Sequence, residues 1–198
     1  MDRRVSLDPA LETDDELMLR AARGERAAAA CLMSRHLPKM LSLARRMLAS
    51  RGEAEAEDAV QDAFIKLWQF AGRWQPGRAR LETWLYRVVL NQCYDRLRRR
   101  ATAPLEDAAY TPDPGPDPAA GLLAAEQATA VRQALEALPE RQKTALLLCH
   151  WQELSNIAAA EVMGVSVEAI ESLLARGRRA LKVSLEGWRL SGGKEGRA

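Results

Sequence analysis

Residues 101–120, ATAPLEDAAYTPDPGPDPAA, contain five of the nine prolines in the chain, four acidic residues and no Lys or Arg. Proline cannot continue a helix, and it biases the residue before it toward extended backbone. No regular element is expected to run through Pro112, Pro114, Pro116 and Pro118. At ~3.1 Å per residue such a stretch spans about 60 Å when extended. It reads as a linker. The chain is thereby divided into a segment 1–100, a linker 101–120, a segment 121–190 and a frayed tail 191–198, SGGKEGRA. Each of the two large segments is long enough to bury its own core.

Both segments are composed like helices. Alanine supplies 35 of the 198 residues and aromatics only 5%. Alanine favours helix, while the aromatic and β-branched residues that favour strands are scarce. The expected class is all-α, with two helical domains. The formal net charge of +2 argues against a protein that coats DNA by bulk electrostatics. It hides an asymmetry, because residues 1–100 carry 19 basic and 14 acidic side chains, and residues 101–198 carry 10 and 13.

Several classes are disfavoured. The polar, acidic start, MDRRVSLDPALETDDELM, has no apolar region of a secretory signal, and no run approaches the roughly 18 apolar residues of a membrane span. A soluble cytoplasmic chain without membrane insertion is expected. Cys31, Cys93 and Cys149 form no CxxC pair, which suggests neither a disulfide framework nor a zinc knuckle. The adjacent Cys149 and His150 have only His36 and two distant thiols to complete a metal site. Buried or half-buried thiols are the better reading. No Gly-rich phosphate loop, paired catalytic carboxylates or Ser-His-Asp order is present, so no enzyme, metal or cofactor is expected.

In the first segment, Glu16 to Ser50 alternates apolar and basic residues at helical spacing, until Gly52 breaks the pattern. Val60, Phe64, Leu67, Trp68 and Ala71 then form one apolar stripe, with Asp58, Gln61, Asp62 and Gln69 opposite. Gly72 and Pro76-Gly77 end that helix in a basic loop with Arg73, Trp74, Arg78 and Arg80. A long helix follows over about 81–100. Its core stripe is Leu81, Leu85, Val88, Val89 and Cys93, and a rotated polar stripe holds Trp84, Arg87, Asn91, Asp95 and Arg98. Arginine pairs with phosphate, and an aromatic plane stacks on an unpaired base. These residues fit nucleic acid. They equally fit a solvated face with arginines near the negative end of a helix dipole.

The second segment is expected to open with helices over roughly 122–137 and 140–150, the latter started by Pro139. Asn156 to Met163 and Val167 to Leu181 then flank the turn Gly164-Val165-Ser166. Glycine ends one helix in the left-handed conformation, and serine caps the next. Ile157, Ala160 and Val162, then Val165, Ile170 and Leu174, are expected where the two helices pack. This is the helix-turn-helix pattern, whose second helix enters the major groove by its N-terminal end. Arg176, Arg178, Arg179 and Lys182 suit phosphates. A helical hairpin that binds nothing, or only protein, is the alternative.

Three stretches in order carry a resemblance: EDAVQDAFIKLWQF, ARLETWLYRVVLNQCYDRLRRR, and LEALPERQKTALLLCHWQELSNIAAAEVMGVSVEAIESLLARGRRALK. Together they resemble a bacterial RNA polymerase sigma factor of the extracytoplasmic-function (ECF) type, with a region 2-like domain, a linker and a region 4-like domain. The resemblance implies that Asp58, Gln61 and Asp62 bind core RNA polymerase. It implies that Arg73, Trp74, Arg80, Trp84, Arg87 and Asn91 open the −10 promoter element, with Trp84, Arg87 and Asn91 matching the usual W-L-x-R-x-x-x-N pattern. Ser166, Glu168, Glu171, Ser172, Arg176, Arg178 and Arg179 would meet the −35 element. An anti-sigma factor is the implied regulator, and the acidic linker would thread the channel of the polymerase.

The resemblance has departures. Family members often carry Glu at the position of Ala158, Thr at Ala169, Lys at Glu171 and Arg at Leu173. Glu168 and Glu171 therefore face polyanionic DNA, either as acceptors from cytosine amines or as packing and solvent residues. Two other classes fit parts of the chain. One is a stand-alone dimeric helix-turn-helix regulator, and the other is a sigma mimic that binds protein without reading DNA.

Overall fold

The computed structural model describes residues 12–101 and 118–192. These residues form helices joined by short turns, with no strand among them, and they divide into two compact units. Most of the expected linker, 102–117, and the end of the expected tail, 193–198, lie outside the described residues.

The first unit contains α1 (Asp14–Ala21), α2 (Arg26–Met47), α3 (Glu53–Ala71) and α4 (Leu81–Ala101). Thr13 and Glu16 start α1 with a reciprocal cap. Glu16 Oε2 accepts from the Thr13 amide at 2.8 Å, and Thr13 Oγ1 accepts from the Glu16 amide at 3.3 Å. The run expected to be helical from Glu16 to Ser50 is divided at Arg23-Gly24, where Gly24 takes φ +86°. Apolar periodicity continues across that break, so the pattern alone conceals it. Pro38 sits inside α2 on its exposed side, where the lost backbone bond faces solvent.

The core of this unit collects Leu17, Met18, Leu32, Met40, Leu43, Met47, Phe64, Leu67, Leu81, Leu85, Tyr86 and Val89. Each such side chain contributes about 1.5–3 kcal/mol on burial. The apolar stripe expected on α4 needs a correction. Val88 is only half-buried, whereas Tyr86 and Leu90 are buried. Because α2 and α3 both pack on α4, its buried arc is wider than a single stripe.

The second unit contains α5 (Pro118–Glu136), α6 (Glu140–Leu146), α7 (Asn156–Met163) and α8 (Val167–Gly192). Pro118 opens α5 at a first-turn position, inside the stretch expected to be linker. After Pro139, α6 runs into a π-helical turn, Leu147–Trp151, in which the Gln152 amide donates to the Leu147 carbonyl at 3.0 Å. The last helix, expected to stop at Leu181, continues to Gly192. Helices α5, α6 and α7 all pack against it, and Ala134, Leu135, Leu146, Leu147, Leu148, Ala160, Val162, Ile170 and Leu174 form the core.

Candidate nucleic-acid interface

On α4 of the first unit, Arg87 and Asn91 are exposed and one helical turn apart, with Trp84 half-buried on the same stripe. Trp84 stacks on Phe70 of α3, with ring centroids 5.5 Å apart and planes 11° from parallel. The guanidinium of Arg73 lies 5.5 Å from the Phe70 centroid, at cation–π distance. Farther along the stripe, Arg98 donates to Asp95 at 2.6 Å. The face thus offers an aromatic plane braced from behind, with a cation and an amide beside it.

The loop between α3 and α4 exposes Arg73, Arg78 and Arg80. Arg78 donates to Gln75 Oε1 at 3.0 Å, and Arg80 approaches Glu82, whose carboxylate accepts from Lys39 at 2.7 Å. Trp74 differs from the sequence expectation. It is only 7% exposed, edge-on to Phe70 at 6.3 Å, and its indole N–H donates to Asp15 Oδ1 at 2.8 Å. An aromatic in a basic loop reads as a base-stacking group, but here both its ring and its polar atom are engaged inside the fold.

Asp58 and Gln61 are exposed on the outer face of α3, and Ile65 among them is 46% exposed. Asp62 is only half-exposed, and it accepts from Arg96 of α4 at 2.7 Å. Arg96, whose side chain is 11% exposed, also lies 3.2 Å from Glu55. One cation of α4 therefore binds two carboxylates of α3.

In the second unit the helix-turn-helix is capped as its residues predict. Ser155 Oγ accepts from the Ala158 amide at 3.2 Å, Gly164 takes φ +63°, and Ser166 Oγ accepts from the Ala169 amide at 3.2 Å. Ile157, expected between the helices, is instead 71% exposed, while Ala159, Ala160 and Val162 are buried. With Ala159 inward, Ile157 falls on the outer side of α7.

Outward from α8 run Glu168, Ser172, Arg176 and Arg179 at three- and four-residue spacing, with Glu171 next to Ser172, all exposed. Glu168 is drawn onto its own helix end. Its backbone amide, then the Ser166 hydroxyl, hold its carboxyl below the usual range. Arg176 donates to the Ser172 carbonyl at 3.3 Å, and Arg178 donates to His150 Nε2 at 3.2 Å. Burial pushes the half-buried Cys149 thiol up, against a smaller opposing effect of Arg178.

Residues 32–102 match the family model of sigma-70 region 2, and residues 128–181 match that of sigma-70 region 4. The chain is 37% identical over 172 residues to the ECF RNA polymerase sigma factor SigM of Mycobacterium tuberculosis, covering 85% of this chain and 83% of that protein. The chain belongs to the ECF sigma factors. Its fold is similar to that of CnrH, solved in complex with the cytosolic domain of CnrY, at a TM-score of 0.68 and 26% identity, over 89% of this chain and 99% of that one. The sigma factor RpoE of Bartonella quintana, solved with the anti-sigma factor NepR, shares the fold at a TM-score of 0.61 and 24% identity, over 78% and 94%.

In this sigma factor, Trp84, Arg87 and Asn91 share one face, while Asp58, Gln61 and Asp62 lie along one side of α3. Sequence reasoning missed Asp15, Phe70, Arg96 and Gly177. Asp15 and Arg96 act across long sequence separations and carry no local signal. Phe70 lies off the Phe64-Trp68 stripe, so the apolar period of α3 does not single it out. A Cβ on Gly177 would stand 2.8 Å from Leu146 Cδ1, a demand that no helical periodicity reveals. Among the described residues, no helix is long and apolar enough to cross a membrane.

Proposed function

We propose that this ECF sigma factor docks on core RNA polymerase through the α3 face bearing Asp58, Gln61 and Asp62, and opens the −10 element with Arg73, Arg80, Trp84, Arg87 and Asn91. Its α8 stripe then meets the −35 element through Ser166, Glu171, Ser172, Arg176, Arg178 and Arg179. Binding alone drives the process, under control of an anti-sigma factor. The observation that carries the reading is Trp84 braced flat on Phe70 beside exposed Arg87 and Asn91. Flipping a base costs a few kcal/mol, and stacking on an aromatic plane returns about 1–3 kcal/mol per base. Glu168 is better suited to closing its own helix end than to accepting from a base. The linker, 101–120, is the segment expected to follow the nucleic-acid channel.

Run-off transcription with purified core polymerase and genomic promoter fragments tests this directly. Absence of stimulation, together with failure to co-purify with core, overturns it. Trp84→Ala and Asn91→Ala are expected to impair open-complex formation while leaving core binding intact. Arg176→Ala is expected to weaken promoter binding and flatten its salt dependence.

A further inference from the structure

The loop between α3 and α4 is tied to a residue far away in sequence. Asp15, in the first turn of α1, accepts from Trp74 Nε1 through Oδ1 at 2.8 Å and from the Gly77 amide through Oδ2 at 2.9 Å. Each carboxylate oxygen thus serves one loop donor. We propose that Asp15 is a positioning residue for promoter opening, which sets the loop and the aromatic cluster behind Trp84 without itself touching DNA. This rests on the reading of the loop and the Trp84 face as the −10 element.

Three observations carry the inference. The bonds that shape the loop from within are local, from Arg73 to Phe70, Trp74 to Ala71 and Arg78 to Gln75, so they set turns but not the position of the loop on the domain. Trp74 meets Phe70 edge-on, and Phe70 stacks on Trp84, which links the Asp15 carboxylate to the half-buried Trp84 indole through two packed rings. Asp15 is itself held, because the adjacent Asp14 accepts from Arg35 at 2.6 Å and from His36 at 2.8 Å. Two consecutive carboxylates therefore fasten α1 to α2 on one side and the loop to α1 on the other. Gly77 needs its glycine for φ +76°, since nothing lies within 4 Å of a Cβ there, and that backbone conformation aims its amide at Asp15.

Asp15→Asn removes one acceptor oxygen and sets an amide N–H₂ against one of the two donors, which conflicts with both being satisfied. Trp74→Phe keeps a ring and removes one donor. Full-length variants bound to core polymerase are assayed for core affinity, for opening of a duplex promoter, and for initiation from the same promoter with an unpaired −10 region. Asp15→Asn is expected to slow duplex opening tenfold or more, and Trp74→Phe severalfold. The double variant is expected to be no slower than Asp15→Asn, since both act on one bond network. Core affinity and initiation from the unpaired template stay within about threefold of the unmodified protein.

Opening at the unmodified rate in Asp15→Asn overturns the inference, as does equal loss on duplex and unpaired templates, which reports a general folding defect. If Asp15→Asn does not fold, Trp74→Phe carries the same test alone. Trp84→Ala separates the two levels. If Trp84→Ala is defective and Asp15→Asn is not, only the role of Asp15 falls. If Trp84→Ala also opens normally, the −10 reading falls and takes this inference with it.

Discussion

Trp84 rests on Phe70, with the rings 5.5 Å apart and 11° from parallel. Such a pair contributes about 0.5–1.5 kcal/mol beyond its buried area. On the proposed reading, its larger effect would be to hold an indole plane ready before a base arrives. Phe70→Ala is expected to lower the rate of promoter opening by about three- to tenfold, with Phe70→Leu intermediate. A fluorescent base analogue in the −10 region reads this. Unchanged opening in Phe70→Ala would show that the brace is dispensable.

Arg96 is nearly buried between Glu55 and Asp62, so its removal leaves two carboxylates without their shared cation. Arg96→Met is expected to cost about 1–3 kcal/mol, less than a fully buried pair because both acids are half in water. Asp62→Asn is expected to cost less, since Glu55 remains. Urea denaturation gives both values. Promoter specificity is expected to be unaffected.

Gly177 lies in the middle of α8, where alanine would ordinarily gain close to 1 kcal/mol of helix propensity. Leu146 Cδ1 stands 2.8 Å from where a Cβ would sit, too close for carbon against carbon. Gly177→Ala is therefore expected to destabilise the protein by about 1–3 kcal/mol through overpacking. Leu146→Val in the same chain is expected to recover part of that loss, a coupling that a double-mutant cycle measures.

Asp14 provides an acid-dependent term. Burial pushes its carboxyl up, but bonds from His36 and Arg35 outweigh this and hold it below its ordinary value. With the folded value lowered, its stabilisation is present above about pH 3.9 and is lost as pH falls through the folded value. Asp14→Asn is expected to destabilise the protein by about 1–2 kcal/mol at pH 7. The two proteins should converge once pH has fallen below that lowered folded value. Denaturation curves across that range check the sign.

The all-α class, the helix over Leu81–Ala101 and the capped turn at Gly164 were legible because each rests on local signals: alanine content, an apolar period, a glycine followed by a capping serine. The same reasoning merged α1 with α2, because Gly24 interrupts the backbone without interrupting the apolar pattern. It turned Trp74 outward, because composition describes a loop but not which side chains fold back beneath it. Ile157 erred in the other direction. Ala159 and Ala160 take the inner side of α7, and apolar character alone does not decide among the four consecutive apolar residues 157–160. What escaped altogether were pairings such as Asp15 with Trp74, where neither residue shows in its own neighbourhood what it meets.

The amino end of α8 is already occupied by an anion of the chain itself, since Ser166 caps it and Glu168 folds back onto its own amide. If α8 meets the −35 element as proposed, a DNA phosphate seeking that end has to displace this carboxylate, and the helix is expected to compete poorly for random duplex. Tethering reverses this. Once other contacts hold a promoter nearby, the local concentration of DNA rises into the range where even a reluctant site fills. On the proposed role, a reader that is weak when alone would leave the genome largely unsampled, and selectivity would reside in the coincidence of several modest contacts.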